Sequence, residues 1–246
     1  MDFPLIVKPG SYARNGLVMN LEGYYQDACY ALISFEKAGL EDIEERANRE
    51  FADEQLKWNI ISEMVGQPTR KAPNIDIELQ ATATAYSQII EQGRFPKSIE
   101  LRIRTTYAKA FLYALDGYAK MVDALAKDLN SQDLKNIYDD FTTVKFPNLI
   151  QVRNSAHHVE DRARMLKAGN KPIVPQPFNG GGIFGGMQGV NVYVVDSLFG
   201  NKYTASLADG TVGEVEVSPK SLHLFAESLH TALLTFQWEG DPKVLP

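Results

Sequence analysis

One stretch divides this chain of 246 residues. Pro172, Pro175 and Pro177 are followed by Gly180, Gly181, Gly182, Gly185, Gly186 and Gly189, and no regular helix survives such a density of residues that lack either a backbone donor or a Cβ. The segments before it carry helical periodicity, and those after it begin with strand-like runs. Gly180, Gly182 and Gly185 also satisfy G-x-G-x-x-G. A dinucleotide site needs a strand before that motif and a helix after it, whereas here a proline segment precedes and a strand-like run follows, so the stretch reads as a connector.

On the N-terminal side, residues 1–19 mix Pro4, Pro9, Gly10 and Gly16 with short apolar pieces and read as an extended lead-in. From Asn20 a helix is expected over Leu21 to Lys37, closed by Gly39, and a second, acidic at its start, over Glu41 to Val65. The segment Asn74 to Gln92 opens with alternating Ile75, Ile77 and Leu79 but continues with Ala81, Ala85 and Ile89, which favours a helix. Ser98 caps a long helix to Leu129, Ser131 caps a shorter one to about Thr143, and Pro147 opens a helix ending near Gly169. Helices joined this closely favour an antiparallel bundle over 20–169.

Beyond the connector at 170–190, Asn191–Asp196, Tyr203–Ala208 and Val212–Val217 are β-rich, with Asp209-Gly210 as a tight-turn signal. Ser218-Pro219 then opens a last helix. A meander this small does not stand alone, so 191–246 should pack on the bundle. The expected class is mainly α: an antiparallel helical bundle, then a three-stranded antiparallel β-meander and a C-terminal helix, α+β overall.

Cys29 is the single cysteine, which excludes an internal disulfide and a Cys-based zinc site and suits a reducing, cytoplasmic setting. No run of about 18 apolar residues suggests a membrane span. The net charge of −6 argues against coating nucleic acid through the whole surface. Its distribution is uneven: Glu41 to Glu54 has seven acids against Arg46 and Arg49, while Ile150 to Lys171 has five bases against Glu160 and Asp161. The positive run holds His157 and His158, two of the four histidines.

Taken as one helix, that run aligns Val152, Ala156, Val159, Ala163 and Leu166 as a core seam. Arg153, His157, Glu160 and Arg164 then lie on one flank, at about 80° to 140° from the seam, and Asn154, His158 and Asp161 at about 180° to 240°. Neither histidine faces the core. The sequence Arg153-Asn154-Ser155-Ala156-His157-His158 resembles the HEPN superfamily (higher eukaryotes and prokaryotes nucleotide-binding), helical bundles marked by an Arg followed after four to six residues by a His, with a polar residue favoured after the Arg. The resemblance implies a metal-independent endoribonuclease without cofactor, active as a homodimer on RNA. His158 would be the general acid or base, Arg153 would bind the scissile phosphate, and Asn154 would orient the pair. Ideal helix geometry leaves His157 nearer to Arg153 than His158 is, so His157 stands as an alternative, and Arg162 and Arg164 are candidate substrate-binding residues.

Two other readings remain. A non-catalytic structural protein with a protein partner fits the same composition. A metal-binding bundle would draw on His157 and Asp161 at i, i+4, or on His223, Glu227 and His230; a di-iron bundle needs two Glu-x-x-His copies, and this chain has one.

Overall fold

The structure is a computed structural model and describes residues 6–8, 12–39, 43–178 and 189–239. The fold is mainly α, with a small three-stranded antiparallel sheet and a C-terminal helix. The chain divides into two compact units, Met1–Ser34 with Thr105–Pro246, and Phe35–Arg104. The divisions fall inside α1 (Tyr12–Lys37) and inside α4 (Lys97–Leu129).

The smaller unit is built on a hairpin of α2 (Ile43–Val65) and α3 (Ile75–Glu91). Asn74 caps α3 by accepting the Ile77 N–H at 3.0 Å. Ile60 and Ile61 of α2 meet Ala81 and Ala85 of α3, with Leu56, Trp58 and Ile77 packed against them. The small alanines let the helices approach closely.

In the larger unit, α4 supplies the fully buried Phe111, Leu112, Leu115, Tyr118, Val122 and Leu125. The Tyr118 ring packs edge-on to Phe141 and tilted on Phe225, and its hydroxyl shares a 2.9 Å hydrogen bond with Ser228. Gly117 is needed in α4, because a Cβ there would lie 2.3 Å from the Tyr24 ring of α1. After α5 (Gln132–Asp140) comes a π-helical turn, Phe141–Lys145, then α6 (Leu149–His157) and α7 (Val159–Ala163).

Strands β2 (Leu166–Lys167) and β3 (Lys171–Pro172) form a short ladder, and β4 (Ser197–Phe199), β5 (Lys202–Ser206) and β6 (Val212–Glu216) form the meander. Tyr203 faces Leu198 on one side and Val215 on the other. Ser218 and Pro219 open α8 (Pro219–Leu234) as the sequence predicts, the Ser218 hydroxyl accepting the Ser221 N–H.

Three expectations change. Within the 1–19 lead-in, the helix begins at Tyr12, and β1 (Ile6–Lys8) pairs antiparallel with β7 (Gln237–Glu239); burial of Val18 and Leu21 outweighs the intrinsic cost of Gly16. The first meander strand is Ser197–Phe199 rather than Asn191–Asp196, because Asp196 turns the chain at φ 48°. The histidine helix stops at His157, and Leu166 joins β2 instead of extending an apolar seam. The Gly180–Gly186 part of the connector lies outside the described residues.

Candidate functional site

The Arg-Asn-x-x-x-His segment is carried on α6, which lies on β5 and β6. Leu149, Val152, Ser155 and Ala156 are its buried side. The contact is close because Gly213 of β6 has no side chain: a Cβ there would stand 2.9 Å from Val152 Cγ2. Ser155 donates to the Ser206 carbonyl at 2.8 Å, which ties the helix to the central strand.

The opposite flank of α6 meets a polar stripe on α4. Arg153 Nε donates to Asp116 Oδ2 at 2.7 Å, and Lys120 Nζ reaches the same oxygen at 2.7 Å. Asp116 is buried, at 6% exposure, although both its partners are cations. Arg153 Nη1 donates to Asn154 Oδ1 at 2.9 Å, so the two residues do form a pair. Two of the five guanidinium N–H groups are engaged in these bonds. Two turns back along α4, Lys109 Nζ and the Tyr203 hydroxyl both reach Asp196 Oδ1, at 2.7 and 2.8 Å. Tyr113 is exposed between the two carboxylates: burial pushes its phenol up, Arg153 pulls it back, and Asp196 and Asp116 add to the rise.

His157 closes α6, one turn after Arg153 on the same flank. His158 leaves helical geometry at φ −110°, ψ 51°, while its N–H still donates to the Asn154 carbonyl. Both imidazoles are exposed and meet edge to face, with ring centroids 5.1 Å apart. His158 Nδ1 is 3.8 Å from Glu160 Oε1.

The two candidate substrate-binding arginines part company. Arg162 is buried, donating from Nε to Ser155 Oγ at 3.1 Å and from Nη1 to the Leu166 carbonyl, while its own carbonyl accepts the Tyr193 hydroxyl at 2.6 Å. Its guanidinium holds the fold instead of facing a ligand. Arg164 is exposed and bonded to Asp161 at 2.6 Å. These bonds also explain the helix break, since Arg162 folds back to β2 and a straight helix would carry it away.

Among the described residues, His158, Glu160 and Asp161 are the group whose ligand atoms lie close enough to share an ion, within 4.8 Å of one another. His158 and Glu160 are exposed, and Asp161 is half-buried and already paired with Arg164. On α8, Glu227 accepts from Lys145 at 2.9 Å and lies 3.3 Å from His223 Nε2, and the Lys145 bond holds its carboxyl below the usual range. Glu227 is thus paired with Lys145 through Oε2, while Oε1 faces His223.

The sequence left Lys109, Tyr113, Asp116 and Lys120 unnoticed. Their spacing of four, three and four marks one polar line along the helix, the signal that could have found them. No described helix is long and apolar enough to cross a membrane. No family model, no curated protein and no solved structure matches this chain.

Proposed function

We propose that the chain is a HEPN-like, metal-independent endoribonuclease whose reactive centre is the C-terminal end of α6. The reading is carried by one observation: Arg153, anchored by the buried Asp116, lies one turn from two exposed imidazoles. An anchored guanidinium keeps its position while charge grows on a phosphate, which is what transition-state stabilisation demands. One imidazole takes the ribose 2′-hydroxyl proton, the 2′-oxygen attacks phosphorus, and the 5′-oxygen leaves with a proton from the other imidazole. The products are a 2′,3′-cyclic phosphate and a 5′-hydroxyl.

The test is cleavage of single-stranded RNA in excess chelator. Activity is expected on RNA and absent on its 2′-deoxy counterpart, and His157→Ala and His158→Ala should each lower the rate by about 100-fold or more. Unchanged cleavage by the double alanine variant refutes the assignment.

A second reading, a non-catalytic partner-binding protein, is favoured by the pairing of Arg153 with Asp116, which accounts for the arginine as a clamp between α4 and α6. It predicts no turnover of any RNA together with a loss of stability in Arg153→Ala.

A further inference from the structure

The outer face of α3 is apolar and uncovered. Ile75, Leu79, Tyr86 and Ile90 lie within about 60° of one another around the helix and are 67%, 61%, 36% and 53% exposed. They are distinct from Ala81, Ala85 and Ile89, which line the adjoining, buried side of the helix. Phe51 of α2 is exposed beside them, and with Tyr86 it lines a groove of about 550 Å³ between the two helices. These five side chains offer roughly 600 Å² to solvent, close to the ~800 Å² that each partner contributes to a standard interface.

The stripe is symmetric about the midpoint between Thr82 and Ala83. Ile75 and Ile90 are equidistant from that point, as are Leu79 and Tyr86. An antiparallel pair of such helices related by a two-fold axis places Ile75 opposite Ile90 of its copy and Leu79 opposite Tyr86, with the small Thr82 and Ala83 at the crossing point. Asp76 then falls opposite Ile89 and Glu78 opposite Ser87, so no acid of α3 meets an acid across the axis.

We infer that α3 is a self-association surface and that its occupant is α3 of a second copy of this chain. Two helical hairpins then bury their outer faces as a four-helix arrangement, a common way for an α-hairpin to cover both its sides. The inference is independent of the ribonuclease reading.

Sedimentation equilibrium of the full chain is expected to show a dimer that Leu79→Glu weakens by about 100-fold or more while leaving the circular dichroism spectrum unchanged. In a Cys29→Ser background, Leu79→Cys with Tyr86→Cys should form an interchain disulfide under mild oxidation, and either single variant should not. Within one helix these positions are about 10 Å apart, too far for an internal bridge. A wild-type monomer at about 100 µM, or a dimer indifferent to Leu79→Glu that the double cysteine variant does not cross-link, overturns the inference.

Discussion

Replacing Asp116 by alanine tests the centre of the site most directly. The carboxylate accepts from Arg153 and Lys120 at 2.7 Å each and is 6% exposed, while the Arg153 side chain is 17% exposed. Removing one member of a buried ion pair costs about 3–5 kcal/mol, because the remaining charge stays desolvated. Lys120 is largely exposed and turns to water, and Arg153 keeps its bond to Asn154, so the expected loss is about 2–4 kcal/mol. Urea unfolding of Asp116→Ala, Arg153→Ala and the double variant forms a cycle, with a coupling energy of about 1.5–3 kcal/mol expected between the two sites. If the ribonuclease reading holds, Asp116→Asn should also lower cleavage far more than it lowers RNA binding, since it frees the guanidinium without removing it. A coupling energy near zero refutes the anchoring of Arg153 and, with it, the observation on which the proposed function rests.

Three further outcomes follow from packing and charge. Gly213→Ala puts a Cβ within 2.9 Å of Val152 and of Leu207 and should cost about 1–3 kcal/mol, whereas Gly23→Ala in α1 meets nothing within 4 Å and should gain about 0.5–1 kcal/mol; urea midpoints of the two variants check the opposite signs. Tyr118→Phe strips the buried Ser228 of its hydrogen-bond partner and should lower stability by about 1–2 kcal/mol in thermal or urea melts. Asp209 is held below its ordinary value of 3.8, first by the Thr211 hydroxyl and then by its N–H; a depressed carboxyl adds stability above that value and loses it as pH falls through the folded one, so the Tm gap between wild type and Thr211→Val should close on acidification below about pH 4.

The trio of His158, Glu160 and Asp161 separates the metal reading from the ribonuclease reading without any assay of activity. Elemental analysis of protein purified without chelator should find no stoichiometric transition metal. A metal at unit stoichiometry, lost in His158→Ala, refutes the metal-independent mechanism.

How much was legible in the chain differs from element to element, for physical reasons. Local signals sufficed for α3, α5 and α8, where Asn74, Ser131 and Ser218 cap their helices and the apolar period is strong, and for α4 apart from its start, which is Lys97 instead of the residue after a Ser98 cap. They sufficed also for β5 and β6, where alternation and Asp209-Gly210 leave few other solutions. Arg153, Asn154, His157 and His158 were visible as a motif and as residues held off the core. The partner of Arg153 was not, because Asp116 is remote in sequence and nothing in α4 alone says which of its polar residues will be buried. Long-range pairing likewise decided β1 with β7, strands of three residues too short to carry a pattern. The end of α6 at His157 was settled by tertiary hydrogen bonds, from Arg162 to Ser155 and Leu166 and from Tyr193 to Arg162, against a local period that would have run on to Leu166. The sequence by itself determined a helical part and a small meander with a final helix, because propensity, capping and period act within a few residues. Only the tertiary structure decided that Arg162 is buried and that Arg153 is anchored by Asp116, because burial and charge pairing depend on which distant elements meet.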